Sequence, residues 1–451
     1  MKENKITDMT TGSPVRLILI FAIPLLIGNV FQQIYNVVDT MVVGYSIGDS
    51  AISAIGATSS LYSLIITFAS SLNSGYAIVV TQAFGAHDNG RLRKSAAGMI
   101  LLNIIATVFI ISLSLVFLRP LMDYMNTPST VLEQAYGYIF IICAGMFSTN
   151  AYNMFAGLIR ALGNSRTPLY HLIAACVLNI ILDILLVAVF GMGVEGAALA
   201  TVLSQCLSAA LSGVYFFGNY KEYAPCLSDY KVPFGILRDL LSTGTAMALM
   251  MCVVNLGSVF FQRANNALGE SMIVAHTSAR KIITIMMQPM GTIATATSTF
   301  VAQNWGAGKL ERIRSSLRKV MLAEVLWGLF ACTVIFASGS LLIQLMTGTE
   351  DAEIISNSVL SLRTHHIFFP VLGVLLCLRT SMQAMGYKKA PVISSCIELV
   401  LKWLSAMFLI PKVGFFGTCI TEPVTWVFML IYLGSSYLMI RNDIYKEKSF
   451  C

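Results

Sequence analysis

Charge is scarce in this chain. Asp, Glu, Lys and Arg make up only 11% of its 451 residues, against 56% hydrophobic residues. A soluble chain of that length needs far more charge to cover its surface, which excludes a water-soluble globular protein. Ordered patterns of cysteine and histidine are missing too. The ten cysteines include no C-x-x-C pairing, and most, such as Cys143, Cys176 and Cys377, lie in apolar runs as small packing residues. The five histidines have no ligand spacing, and His365 and His366, being adjacent, cannot share a helix face. No metal site and no cofactor are expected. A membrane-embedded enzyme would need a nucleophile–base pair within the apolar runs, and none stands there. Residues 1–16 lead into no small-residue cleavage pattern, so a removed signal peptide is not expected. The net charge of +7 lies mostly in loops and marks no nucleic-acid surface.

What the chain has is apolar length. Its mean hydropathy is +0.76, and a membrane span needs about 20 apolar residues. Runs at 17–43, 51–80, 96–118, 135–158, 169–190, 196–218, 240–262, 272–301, 320–346, 354–382, 391–411 and 415–440 qualify. The expected fold class is therefore an all-α polytopic membrane protein with twelve transmembrane helices. Pro24, Pro289 and Pro370 lie inside runs, where each frees a carbonyl and bends the helix. Lys and Arg concentrate in alternate connections, among them Arg91, Arg93, Lys94, Lys309, Arg312 and Arg314. That bias predicts both termini on the cytoplasmic side of the cell membrane.

The chain repeats itself. Gln82-Ala-Phe-Gly85-Ala86, followed by Arg91, Arg93 and Ser95, returns 221 positions later as Gln303-Asn-Trp-Gly306-Ala307 with Arg312, Arg314 and Ser316. Gly193 and Gly196 return as Gly414 and Gly417 at the same shift. Arg160-Ala161-Leu-Gly163 returns loosely as Gln383-Ala384-Met-Gly386. Two pseudo-symmetric six-helix lobes are expected, 1–218 and 240–451, joined by a cytoplasmic linker at 219–239. An even number of spans per half sets the symmetry axis along the membrane normal, with a central cavity between the lobes and a transporter as the leading reading.

Polar side chains then single out a site. Asp183 interrupts an apolar run, with Asn179 one turn earlier on the same face and Thr201 entering from beyond the Gly191–Gly196 turn. A carboxylate at that depth costs roughly 2.5–3.5 kcal/mol to insert, which marks it as functional. In the first run Gln32, Tyr35 and Asp39 form one stripe and Asn36 lies on the next. Ser63 and Thr67 mark the second run, and Asn150 and Asn153 the fourth. Gln32, Tyr35, Asn36, Ser63, Thr67, Asn150 and Asn153 are the expected cavity lining, although small and hydroxyl residues also serve ordinary helix packing. At about 1.5 Å per residue both acids fall in the outer half of the membrane. Two buried carboxylates near Asn and Thr can bind H+ or Na+. The second half offers Arg379, Glu398, Lys402 and Glu422, of which Glu398 and Lys402 form an i, i+4 pair.

Over essentially its whole length the chain resembles the multidrug and toxic compound extrusion (MATE) transporters. The resemblance rests on the opening GSPVRLILIFAIPLLIGNVFQQIYNVVDTMVVG, the loops QAFGAHDNGRLRKS and QNWGAGKLERIRSS, and LIRALGNSRTP. The acid of the first run with the Asn…Asp…Thr set resembles the DNA-damage-inducible F (DinF) branch. That resemblance implies a cation site of Asp39, Asn179, Asp183 and Thr201, with Pro24 as hinge of the first helix. It implies H+- or Na+-coupled antiport of amphipathic, often cationic, organic molecules across the bilayer by alternating access, by a monomer. The alternative within the same superfamily is a flippase or exporter of a lipid-linked or other endogenous metabolite.

Overall fold

The computed structural model describes residues 6–124 and 131–449. Among them the chain is all helix and turn, with no strand. Twelve helical segments follow one another: α1 Pro14–Ile47, α2 Asp49–Gly85, α3 Asn89–Tyr124, α4 Leu132–Ala144 with Met146–Ala161, α5 Arg166–Asp183 with Ile184–Val189, and α6 Gly193–Asn219. Then come α7 Phe234–Asn266, α8 Glu270–Gly306, α9 Leu310–Thr347, and α10 Ala352–Ile367 with Phe369–Ala384. Last are α11, Lys389–Leu404 with Ser405–Leu409 and Ile410–Val413, and α12 Phe415–Ser449.

Nine of the described helices are long and apolar enough to cross a membrane, or eleven when each bent pair counts as one span. The remaining segment is α8, which covers the expected span 272–301. It is 37 residues long, but His276, Arg280, Lys281 and Gln288 make it too polar to pass on composition. α4 bends by 42° at Gly145 and α10 by 51° at Phe368. The second bend sits beside Pro370, at the start of the outgoing arm. Pro24 and Pro289, by contrast, lie within unbroken helices.

The duplication read in the sequence recurs in the backbone. Gly48 and Gly269 open α2 and α8 with φ of 100° and 103°, and Gly193 and Gly414 sit at 65° and 64°. Such angles are free only to glycine. A widened, π-type turn at Ile184–Val189 has its counterpart at Ser405–Leu409.

Two compact units result: 1–11 with 20–248, and 12–19 with 249–451. In the first, α2 meets the start of α7 where two glycines let backbones touch. A Cβ at position 75 would stand 2.5 Å from Gly244 Cα and 2.7 Å from the Thr243 carbonyl. Backbone cannot yield as a side chain can, so Gly75→Ala is expected to cost about 1–3 kcal/mol. A melting curve of the purified protein reads it; an unchanged midpoint would mean the helices do not touch there. The connection 219–239 is tied to this unit. Asn89 donates to Glu222 at 2.8 Å, and Arg93 lies 3.5 Å from Asp229. Burial pushes the Tyr220 phenol up, and its neutral hydroxyl accepts from Asn164 at 3.0 Å. In the second unit Gly328 of α9 faces the backbone of Phe369 and Pro370 at the α10 bend. Large side chains such as Ile105, Phe109 and Val116 are exposed, as helices facing lipid require.

Candidate functional site

Inside the first unit, three helices bring polar groups to one point. α1 carries Tyr35 and, one turn on, Asp39. α5 carries Asn179 and Asp183 at its last α-helical turns. α6 carries Thr201, two turns after the Gly193 turn that reverses the chain. Asp39 and Asp183 lie within hydrogen-bonding reach of each other. Asn179, its amide oriented by the network it joins, donates to Asp183 Oδ2 at 2.7 Å and accepts from the Thr201 backbone N–H at 3.3 Å. The Thr201 and Tyr35 hydroxyls are 3.2 Å apart. Asp183 is 0% exposed and Asn179 1%. Asp39 and Asp183 each keep one buried oxygen, Oδ1, with no hydrogen-bond partner among the described residues. The phenols of Tyr62 on α2 and Tyr138 on α4 lie in electrostatic range of Asp39.

The structure thus gathers Asp39, Asn179, Asp183 and Thr201, and adds Tyr35, which the stripe pattern assigns to the cavity lining. Gln32, Thr67 and Asn153 are half-buried, and Asn36 and Ser63 exposed; none is tied to the acids. Asn150 is placed elsewhere. It is buried, accepts from Asn73 at 3.2 Å and donates to Thr107 at 2.7 Å, and Asn103 donates to Asn73 in turn. A buried amide surrounded by apolar helices must be satisfied inside the protein, and this network cross-links α2, α3 and α4. The apolar count hid three polar residues inside the second unit. Arg280 and His365 both meet Glu422. Glu324 is fully buried on α9, with both carboxylate oxygens lacking a hydrogen-bond partner among the described residues. Arg280 and Glu324 each interrupt an apolar run, and that is the signal that could have flagged them. No group of three His, Cys, Asp or Glu residues that could hold a metal occurs among the described residues.

A twice-repeated bundle of long apolar helices with acids buried inside it is the build of a membrane transporter. The chain belongs to the MatE family, whose family model matches residues 24–185 and again 246–408. Members of this family are transporters, not enzymes, and work without a cofactor; this chain is a multi-pass membrane protein of that kind. It is 26% identical over 392 residues to the "Probable multidrug resistance protein YpnP" of Bacillus subtilis, covering 85% of each. To the "Probable multidrug resistance protein YoeA" of the same organism it is 24% identical over 435 residues, covering 93% of each. A solved structure described as MATE in the bent conformation superposes with a TM-score of 0.92 at 22% identity, over 100% of both chains. At that identity the likeness establishes the fold.

Proposed function

We propose that this transporter is a cation-coupled antiporter, driven by H+ or Na+, that exports amphipathic, often cationic, organic compounds across the cytoplasmic membrane by alternating access. The observation that carries the reading is the Asp39–Asp183 pair. Two carboxyl groups within hydrogen-bonding reach, in surroundings from which water is largely excluded, need a positive charge between them. A proton supplies it, or a sodium ion, whose preference for oxygen ligands suits the two unpartnered Oδ1 atoms. A cationic solute competes for the same charge. Loading of the pair then alters what Asp183 asks of Asn179, and through it the Thr201 and Tyr35 bonds that link α5, α6 and α1. Pro24 is the point at which α1 would give way.

This placement of the acids is that of the DinF-like branch. The proposed lobes are 1–218 and 240–451, and the proposed cavity lining within the first is Gln32, Tyr35, Asn36, Ser63, Thr67 and Asn153. The chain works as a monomer with both termini cytoplasmic. The names of the curated relatives support the multidrug cargo.

The test is transport in liposomes, with the proton and sodium gradients imposed separately and a fluorescent organic cation as cargo. One gradient is expected to drive accumulation to at least about tenfold above the gradient-free level, the effect of about 1.4 kcal/mol or more of driving force. Equal movement with and without either gradient would refute coupled antiport.

A further inference from the structure

The second unit holds a buried charged cluster that exchange at the first unit's acids leaves unused. At its centre Glu422 of α12 pairs with Arg280 of α8. The same carboxylate lies 3.3 Å from Lys402 Nζ on α11 and 3.5 Å from His365 Nε2 on α10. Lys402 also donates to Glu398 at 2.9 Å, and Arg379 stands 4.0 Å from that second acid. Arg379 also donates to Ser395 and to the Met250 sulfur. Leaving the imidazole aside, the three lysine and arginine side chains, Arg280, Lys402 and Arg379, face the two acids Glu422 and Glu398, and three minus two leaves one positive charge over. His276, one turn before Arg280, is buried with an Nδ1 that meets no partner among the described residues. Glu422, Arg280 and His365 all lie in its electrostatic range.

The repeat says where this cluster stands. At the shift of 221, Glu422 takes the position of Thr201, and Ser405, the first residue of the second widened turn, takes that of Ile184. One member of the cluster, Glu422, thus stands where Thr201 of the first unit's site stands, whereas Asp39 and Asp183 map onto the apolar Phe260 and Leu404. An uncompensated charge away from water is costly and calls for a counter-ion. The Lys402 and Glu422 side chains are sealed, at 4% and 5% exposed, but Arg280 is 41% exposed. Arg280 is therefore the member of the cluster whose side chain a ligand can approach.

We propose that this cluster is an anion-binding site that takes the carboxylate or phosphate group of an amphipathic organic molecule at Arg280. A guanidinium suits that task, since it stays charged and presents its donors in a plane that matches such groups. The site rests on the transport reading above only for the source of its ligand. Binding needs no gradient, so the two claims fail separately.

The experiment uses the full chain in neutral phosphatidylcholine nanodiscs and two dyes, rhodamine B, which carries a free carboxylate, and its ethyl ester, which does not. Fluorescence polarisation should show the free acid bound about tenfold more tightly, with inorganic phosphate displacing it and sparing the ester. Arg280→Gln makes the cluster neutral and should erase the difference, whereas Arg280→Lys should keep most of it. Glu422→Gln raises the excess to two and should widen the difference. That opposition of sign is what a merely structural ion network would not give. Equal binding of the two dyes by the wild type, or Arg280→Gln and Glu422→Gln moving the ratio in the same direction, would overturn the proposal. Loss of the preference in discs containing phosphatidylglycerol would overturn it in favour of a lipid headgroup. Export driven by a gradient would stand in each of those cases.

Discussion

Asp183→Asn and Asp39→Asn are each expected to drop drug export to the background of cells that lack the protein, with the variant still reaching the membrane at near-normal levels. Asn matches Asp in size and keeps a polar end, so packing around the completely buried Asp183 survives. What disappears is the pair's need for a cation, and with it the coupling. Because the two carboxyls act as one unit, the double variant should lose no more than either single one. Asn179→Ala should be milder, about tenfold, since it removes one charge-assisted hydrogen bond and leaves both acids. Resistance assays beside a membrane-fraction blot separate the outcomes. Wild-type resistance in either acid variant would end the coupling proposal, whereas loss of the protein from the membrane would assign Asp39 or Asp183 a structural role instead.

Lys402→Ala is expected to be among the most damaging single changes to the fold, at about 3–5 kcal/mol, the cost of leaving buried charge without its partner. Lys402 serves Glu398 and Glu422 at once, so its removal leaves Glu398 with Arg379 alone, at 4.0 Å, and Glu422 with Arg280 and His365. The variant Lys402→Met with Glu398→Gln removes one charge of each sign and should regain part of the lost stability, since it deprives Arg379 of its acid. Glu422 then keeps Arg280 and His365. Melting midpoints and the yield of monodisperse protein report both. If Lys402→Ala melts like wild type, the ion network does not hold the second unit together.

Much of this architecture was readable from the chain because lipid leaves so few options. Apolar length gave the segments, and the shift of 221 gave the duplication that glycines such as Gly48 and Gly269 then display in their backbone angles. The meeting of Asp39 with Asp183 was legible for the same reason, since two acids in apolar runs must find company. Readings that depend on which way a helix face turns did less well. Asn150 shares its spacing with Asn153 but points into a packed network, and no periodicity reveals the Asn73, Asn103 and Thr107 that receive it. The i, i+4 pair Glu398–Lys402 was visible as local geometry, whereas its links to Glu422 and Arg379 join segments far apart in sequence. Arg280 and Glu324 were passed over because an averaged apolar run tolerates one or two charges without ceasing to look apolar. The bend at Gly145 came with no proline to announce it.

The widened turn after Asp183 carries a consequence for the ancestry of the molecule. Such a turn takes in one residue beyond the ordinary helical count, so everything after it is rotated by about 100° relative to Asn179 and Asp183. Both halves carry that extra residue at matching places, Ile184 and Ser405, although the side chains that follow differ, Thr201 in one and Glu422 in the other. An insertion of this kind, acquired twice by accident at the same register, would be a remote coincidence. Matching widened turns at one register are what the duplication of a single six-helix unit would leave behind, with Thr201 in one copy where Glu422 stands in the other.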